Sequence, residues 1–492
     1  MGHRSQPRAV LAVCSLAAFM ASLDLFIVNV ALPAMGRSFA HSPLSDLSWV
    51  LNGYAIVYAA LLVPLGRLAD RFGRKGGFLI GIAIFTVSSA ACALSTSLWM
   101  LVSFRLVQAA GAAALTPTSL GLILPVFAPE RRAGAVRIWM ATGALAAAAG
   151  PVAGGLLVGA SWRWVFLVNL PVGVIALVAA ARLVPDSSDP AVADMPDLVG
   201  AGILTGSLGL LALGLVELNT WSAVRVALVL AAAIAGVAAF WVRSSRQRSP
   251  VVEPALLKVR VIAWSNLACL LFSVGFAANL LAAILWMQQV WRYSALRTGL
   301  GVAPGPLMVP FFALVAGWLA RHVPAGFIAA VGCLLFGTGT LLVALGVGPA
   351  PDYAGALLPG WIVGGIGVGL ALPTIQAAAT ASLPRERFAT GAGIVNMSRQ
   401  IGYVLGISVL VVALGTPHSY LAAHAGFVHA WVAIGIFAVA GALAAVAMAP
   451  RRNASDPRLA PQMATVVTSA VSSAGVPARE ITGAPRGGGD QR

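Results

Sequence analysis

The stretch Gly66-Arg-Leu-Ala-Asp-Arg-Phe-Gly-Arg-Lys75 decides the fold. It carries five charged side chains and separates two apolar runs, 48–65 and 76–96. At about 1.5 Å per residue, each run is long enough to cross about 30 Å of hydrocarbon. The stretch is therefore the connection between two membrane helices. Its four basic residues favour the cytoplasmic side, because loops rich in Lys and Arg are retained inside.

The composition extends this interpretation to the whole chain. Of 492 residues, 59% are hydrophobic and only 9% are charged, with a mean hydropathy of +0.91. Soluble domains carry about 25% charged residues. Fourteen apolar runs of spanning length follow one another, which predicts an all-α polytopic membrane protein. The sequence has no phosphate-binding GxxxxGK[ST] loop and no Ser/His/Asp arrangement. We therefore expect neither an enzyme nor a cofactor. We expect the energy for transport to come from an ion gradient.

The basic residues fix the predicted topology. On alternate connections, 24 of the 31 Lys and Arg lie on the side of Gly66–Lys75, and five lie on the other side. This asymmetry places both termini in the cytoplasm. The net charge of +16 then reflects topology and contact with anionic lipid headgroups, and not nucleic-acid binding.

Two short echoes predict an internal repeat. Gly317–Gly326 is a degraded copy of Gly66–Lys75, and Pro384–Arg387 echoes Pro129–Arg132 at nearly the same offset. Repeats of this kind are common in transporters, with the substrate site between the halves. We therefore predict an arrangement of six, two and six helices. Its parts are a first half (1–190), an inserted helix pair (191–243), a cytoplasmic linker (244–262), a second half (263–449) and a disordered cytoplasmic tail (450–492).

Two charges lie within predicted membrane helices of the first half. Asp24 is the only one of fifteen acids deep in an apolar run. A charge there costs about 2.5–3.5 kcal/mol on insertion scales, so it indicates a function or a partner. Asp24 is either a proton or cation site or a hydrogen-bonded packing residue. Arg105 lies roughly 9 Å below the outer end of its helix, and Asp24 lies roughly 13 Å below the outer end of its own. Long side chains can bridge this difference in depth. A structural pair with Asp24 is thus one interpretation of Arg105.

The loop Gly66–Lys75 resembles the connection between helices 2 and 3 of the major facilitator superfamily. In that family the loop helps to latch the two halves together on the cytoplasmic side. The resemblance implies that Asp70 faces the N-terminal end of a helix from the other half, where the helix dipole favours a negative charge. The alternative is a loop that only sets topology. The residues assigned to the latch are Gly66, Asp70, Arg71, Gly73 and Arg74.

Two further stretches resemble the fourteen-helix drug:proton antiporter family within this superfamily. Leu23-Asp-Leu-Phe-Ile-Val-Asn-Val-Ala-Leu-Pro33 matches its helix-1 motif, except that Phe26 stands where the family has Thr. Phe104-Arg-Leu-Val-Gln-Ala-Ala-Gly111 resembles the superfamily's helix-4 motif, in which the Arg is linked to proton transfer. The resemblance therefore assigns proton coupling to Asp24 and Arg105.

The helix-5 region resembles the signature of antiporters in the superfamily. Gly143-Ala-Leu-Ala-Ala-Ala-Ala-Gly-Pro-Val-Ala-Gly-Gly155 contains its Gly-Pro-x-x-Gly-Gly core, which consists of Gly150, Pro151, Gly154 and Gly155. The glycines make a smooth face for close packing, and the proline bends the helix. A packing face alone is the alternative. Trp162-Arg-Trp-Val-Phe-Leu-Val-Asn-Leu-Pro-Val-Gly173 also resembles these exporters, and we expect its tryptophans to anchor the helix at the interface.

Polar residues within the membrane predict a cavity between the halves. In helix 13, four of them lie near one face around mid-membrane, where they line the cavity or form structural hydrogen bonds. Gln108 shares a face with Arg105. The residues that we predict to line the cavity are Asn29, Tyr54, Gln108, Asn396, Arg399, Gln400 and Tyr403. The four cysteines form no CxxC pair, and the histidines near the last outside loop are exposed loop residues, so we expect no metal site.

The sequence predicts a proton-coupled exporter of lipophilic small molecules such as drugs or antibiotics. It would work as a monomer in the cell inner (cytoplasmic) membrane by alternating access, with its substrate, protons and membrane lipids as partners. One alternative is an exporter of an endogenous metabolite, lipid or siderophore. A membrane sensor that does not transport is another, although a scaffold has no need of buried charge.

Overall fold

The computed structural model describes residues 6–40, 42–187, 195–381, 383, 388–415 and 419–448. The predicted tail 450–492 and the echo Pro384–Arg387 lie outside these residues. Fourteen helices in the described part are long and apolar enough to cross a membrane. They are α1 (Pro7–Ser38), α2 (Leu44–Phe72), α3 (Arg74–Ala93), α4 (Leu98–Val126), α5 (Pro129–Ala160), α6 (Trp164–Leu183), α7 (Leu198–Val216), α8 (Ala223–Arg246), α9 (Arg260–Val290), α10 (Ala295–Leu319), α11 (Ala325–Gly346), α12 (Tyr353–Ala381), α13 (Phe388–Leu414) and α14 (Tyr420–Ala447).

Long apolar sequences form helices here because hydrocarbon offers no hydrogen-bond partners to the backbone, so each segment must satisfy its own N–H and C=O groups. Large apolar side chains point outward from the bundle, among them Leu314, Leu345 and Leu443, which are 76%, 87% and 68% exposed. Such exposure is expected of a surface that faces lipid. The prediction of an all-α polytopic membrane protein is confirmed.

Helices α1–α6 and α9–α14 pack in the same pattern. In each set the first helix contacts the fourth, fifth and sixth, the third contacts the fourth and sixth, and the second contacts the fourth. The two sets meet through α2 against α13 and through α5 against α10, which are equivalent pairs under this correspondence. Helices α7 and α8 pack on each other, and α7 also contacts α2 and α13. This packing supports the division into six, two and six helices, whose boundaries stay a prediction.

The connection between α8 and α9 is shorter than the linker predicted at 244–262. Helix α8 continues to Arg246, a short helix spans Pro254–Leu257, and α9 already begins at Arg260. The helix ends therefore extend beyond the apolar runs. Arginine side chains permit this because their apolar stems can lie along the bundle while the charged groups reach water.

The halves are joined most closely at the end of the bundle opposite Gly66–Lys75. The largest apolar core mixes residues of both halves there, such as Ile27, Leu32 and Trp286. Gln288 of α9 donates a hydrogen bond of 3.1 Å to the carbonyl oxygen of Val30 in α1. Toward the other end, the cores of α1–α6 and of α10–α12 are separate clusters, and the halves remain in contact along α2 and α13.

The helices depart from regular geometry near this joined end. Helix α6 has a turn at Val168, and α10 is interrupted at Ala303. Helix α9 ends in a π-helical segment at Trp286–Val290, and α12 begins with another at Tyr353–Leu357. Short π segments occur often at functional sites. In this protein they lie close to where the two halves contact each other.

Candidate functional site

Asp24 and Arg105 form an ion pair inside the first half. The Nη1 atom of Arg105 lies 2.5 Å from Oδ2 of Asp24, and both side chains are 0% exposed. Helix α1 supplies the carboxylate and α4 supplies the guanidinium. The contact that their predicted depths allow is therefore present. A buried pair of this kind is stable only when further hydrogen bonds satisfy both groups.

Two amides complete the surroundings of the carboxylate. Nε2 of Gln108 donates to Oδ1 of Asp24 at 3.0 Å, and Nδ2 of Asn169 donates to the same oxygen at 3.1 Å. Both amides also donate to Oγ of Ser89, whose hydroxyl donates to the carbonyl oxygen of Phe166. We call Asp24, Ser89, Arg105, Gln108 and Asn169 the carboxylate network. Its members come from α1, α3, α4 and α6, so a change at Asp24 reaches four helices.

Arg105 is held from three further directions. Its Nη1 atom also donates to Oε1 of Gln108 at 2.8 Å, and its Nε atom donates to the carbonyl oxygen of Val50 at 3.2 Å. Its guanidinium carbon lies 4.1 Å from the centre of the Tyr54 ring, within the range of a cation–π interaction. The remaining Nη2 atom is buried and has no hydrogen-bond acceptor. Arg105 therefore ties the carboxylate network to α2 and keeps one donor free.

A small cavity of ≈ 30 Å³ separates the two halves beside Arg105. Phe26 and Asn29 line it from the first half, and Phe276 and Tyr403 line it from the second. The two aromatic rings of the second half stack with centroids 5.9 Å apart. Such a volume holds about two water molecules and no drug-sized ligand. The halves are thus closely packed at this level.

The residues predicted to line a cavity divide into three groups. Asn29 and Tyr403 line the small cavity. Tyr54 lies under Arg105, and Gln108 belongs to the carboxylate network. The other three, Asn396, Arg399 and Gln400, lie on α13, where Asn396 donates to the carbonyl oxygen of Ala392 and Gln400 is buried.

The glycines of the helix-5 motif lie against both halves. A Cβ atom built on Gly150 would lie 2.7 Å from Cβ of Phe26, and one on Gly154 would lie 2.9 Å from the carbonyl oxygen of Ile27. On the other side, a Cβ on Gly155 would lie 2.6 Å from the carbonyl oxygen of Ala295 in α10. The motif therefore permits close approach of α5 to α1 and to α10.

Sequence patterns miss three important residues. Asn169 lies within the aromatic stretch Trp162–Gly173, and Ser89 lies within the apolar run 76–96. Gly299 of α10 was also missed, although a Cβ atom there would overlap the carbonyl oxygen of Pro151. An amide within an apolar run is a signal that could have identified Asn169. A single glycine among 53 carries no comparable signal.

A sequence model of the Major Facilitator Superfamily matches residues 14–197 and 198–407. The chain belongs to this superfamily. It is a membrane transporter and not an enzyme.

Named export and resistance proteins resemble the chain over most of its length. The cephamycin export protein of Amycolatopsis lactamdurans is 34% identical over 88% of this chain and 90% of its own. The tetracenomycin C resistance and export protein of Streptomyces glaucescens is 30% identical over 84% and 77%. A multidrug resistance protein B homolog of Mycobacterium tuberculosis is 30% identical over 82% and 75%.

Solved structures of the superfamily share the fold. A POT family transporter superposes with a TM-score of 0.67 at 17% identity, covering 88% of this chain and 94% of its own. A bacterial homologue of the lysosomal transporter Spinster gives 0.63 at 16% identity, covering 91% and 98%. The expected major facilitator fold is confirmed.

The stretch Gly66–Lys75 consists of the end of α2, Gly73 and the start of α3, and it contacts both the first half and the segment before α9. Gly73 has φ of 119°, a conformation that glycine adopts readily, and Gly66 lies against Pro117 of α4. Asp70 pairs with Nε of Arg74 at 2.5 Å. Among the described residues, no hydrogen bond or ion pair joins Asp70 to the second half. The latch role of this loop and of Arg71 stays a prediction.

Proposed function

We propose that the chain exports lipophilic small molecules such as drugs or antibiotics, in exchange for protons, by alternating access. The export and resistance proteins that it resembles support the direction of transport and the class of substrate. The proton coupling is supported by the carboxylate network, which contains the buried pair of Asp24 and Arg105.

The single observation that carries the coupling is the pairing of Asp24 with Arg105 and with two amide donors. Protonation of the carboxylate removes one charge of a buried ion pair, and breaking such a pair costs about 3–5 kcal/mol. It also turns one carboxylate oxygen into an O–H donor, and neither Arg105 at Oδ2 nor the two amide N–H groups at Oδ1 can accept from it. Binding of a proton is therefore coupled to a rearrangement of α1, α4 and α6 around Asp24.

The gradient supplies energy on the same scale. One proton that enters under 100 mV yields about 2.3 kcal/mol, and one pH unit adds about 1.4 kcal/mol. Together these support roughly a several-hundred-fold gradient of a neutral substrate. The free-energy cost of breaking the buried pair and the free energy supplied by the gradient are thus of similar size.

We assign this conformation to the inward-facing state of a monomer in the cytoplasmic membrane, with both termini in the cytoplasm. The excess of Lys and Arg on the side of Gly66–Lys75 supports the orientation. The closely packed end, where Gln288 contacts Val30, then faces outward. The separate cores of α1–α6 and α10–α12 lie toward the cytoplasm, where a substrate enters.

Inverted membrane vesicles test the proposal. Asp24→Asn should remove uptake driven by an imposed proton gradient, since the amide cannot take up and release a proton. Asp352→Asn is the matched control: its exposed carboxylate caps the start of α12 by accepting from Gly355 N–H, and Asn caps equally well. Gradient-driven transport by the Asp24→Asn protein at the normal rate would contradict the role of Asp24.

A further inference from the structure

Arg399 of α13 is a cation without a counter-ion. Several other arginines have carboxylate partners, among them Arg67 with Glu253, Arg243 with Asp197, and Arg105 with Asp24. In the described part of the chain, no carboxylate lies within ion-pairing distance of Arg399. Its Nε atom is buried and has no hydrogen-bond acceptor.

The surroundings of Arg399 do not neutralise it. Among the described residues, Tyr58 of α2, Cys269 of α9 and Tyr403 of α13 lie close enough to interact with it electrostatically. None of these side chains is normally negative at neutral pH. An uncompensated charge within a membrane helix is costly, and such residues mark the paths of substrates or ions. The missing acceptor is therefore expected from a ligand.

The position of Arg399 fits a ligand that enters between the halves. Helix α13 packs against α2 of the first half and α9 of the second. One helical turn away, Tyr403 lines the small cavity between the halves, together with the apolar side chains of Phe276 and Leu280. Arg105, whose Nη2 atom has no acceptor, lines the same cavity. An apolar wall thus lies about one helical turn from Arg399, whose Nε atom has no acceptor.

We propose that the exported substrates are amphipathic anions and that Arg399 binds their carboxylate or sulfonate group. The proposal rests on the export function proposed above. Asp24 is already occupied by three donors, so its charge is balanced within the first half. The cation at Arg399 then attracts anions and repels cations. When the halves move apart, the wall of aromatic and aliphatic side chains one helical turn from Arg399 receives the apolar body of the substrate.

Three fluorescent probes with one dansyl group test the charge preference: dansyl-phenylalanine, an anion; its methyl ester, which is neutral; and dansylcadaverine, a cation. Their affinities are measured by fluorescence titration of the purified full-length protein in lipid nanodiscs. The wild-type protein should bind the anion most tightly. Arg399→Gln should weaken anion binding by roughly 30-fold or more, the usual result of removing one partner of a buried charge pair. The preference for the anion over the ester should shrink accordingly.

Arg399→Lys keeps the charge and should keep the anion preference, with lower affinity because the planar fork is lost. This variant separates a charge effect from damage to the fold, as does thermal unfolding of each protein. Equal affinity of the wild type for all three probes would overturn the proposal. So would a loss in Arg399→Gln that is the same for the anion and the ester.

Uptake into vesicles, compared with binding, distinguishes a wrong substrate class from a wrong export function. If vesicles accumulate the ester or the cation under a proton gradient but not the anion, the protein is an exporter and the substrate class is wrong. If no probe moves under a gradient although the anion binds, the binding site stands and the proposed export fails.

Discussion

At the scale of single residues, the chemistry of the site depends on the shape of the Arg105 side chain. Its guanidinium donates to Asp24, Gln108 and Val50 at the same time and lies over the ring of Tyr54. A planar group with five donors can do this, whereas an ammonium group is a point charge on a flexible stem. The arginine therefore fixes the carboxylate as well as balancing its charge.

Arg105→Lys should lower the rate of export, and Arg105→Ala should abolish it. The lysine still compensates Asp24 but cannot hold α2 and α4 together. The alanine leaves a buried carboxylate without its counter-ion, which costs about 3–5 kcal/mol of stability. Uptake into inverted vesicles and thermal unfolding measure the two effects. Equal export by the Lys, Ala and wild-type proteins would show that Arg105 does not act on Asp24.

Asn169→Ala should reduce export by roughly tenfold or more, because a hydrogen bond to a charged group is worth about 1.5–3 kcal/mol. Gln108 still donates to the same oxygen, so the effect should be smaller than that of Asp24→Asn. Asn219→Ala is the control, since this exposed Asn donates only to the carbonyl oxygen of Val412. A control variant as impaired as Asn169→Ala would refute a specific role for Asn169.

The sequence allowed the contact of Asp24 with Arg105 to be predicted, because charges within membrane helices are rare and their depth follows from the helix ends. It did not allow the contact of Asn169 with Asp24 to be predicted. That amide lies directly after the turn at Val168, and the packing of α6 on α1 and α3 orients it. The position of a side chain beside such a turn depends on tertiary contacts that no local pattern specifies.

At the scale of helices, the crossing of α5 and α10 joins the two halves at a place where backbones touch. Gly155 lies against Ala295, and Gly299 lies against Pro151. The motif in α5 could be recognised from its spacing of Gly and Pro. Its counterpart in α10 could not, because Gly299 becomes important only through the helix that it meets.

Gly299→Val should impair export strongly, and the loss should exceed that caused by substitutions in lipid-facing positions of α10. Its side chain would overlap the carbonyl oxygen and backbone of Pro151, and backbone cannot move aside as a flexible side chain can. Gly317→Val in the same helix is the control, because a Cβ atom there meets nothing within 4 Å. Export and expression are measured together. Equal export rates for the two variants would mean that export continues when α5 and α10 are pushed apart at their crossing.

At the scale of the whole molecule, the fold is two similar sets of six helices that contact each other through equivalent pairs. The fourteen helices and the repeat could be predicted, because spanning segments and charged loops are visible in composition. The conformational state could not, because the same sequence must adopt each state of the cycle with a small energy difference. At the end of the bundle that carries Gly66–Lys75, the side chain of Arg67 donates hydrogen bonds to Ser249 and Glu253. These bonds connect α2 to the segment before α9.

A cross-link between α2 and α13 should lock the transporter in this state. Asn52 and Ser408 face each other across the two halves, with Nδ2 of the amide 3.4 Å from the hydroxyl oxygen. Asn52→Cys combined with Ser408→Cys should form a disulfide on oxidation, and export should stop if the halves must move apart there. The four native cysteines are buried, and none of them pairs with another. A reducing agent should restore export.

The single variants Asn52→Cys and Ser408→Cys, treated with the same oxidant, control for loss of the hydrogen bond and for oxidative damage. Both should export at rates that oxidation does not change. Formation of the disulfide is measured by the reductant-sensitive mobility of the protein after cleavage between the halves. If the cross-linked protein transports as fast as the reduced one, α2 and α13 move as one body at this level. Alternating access would then have to separate the halves elsewhere, at the crossing of α5 and α10.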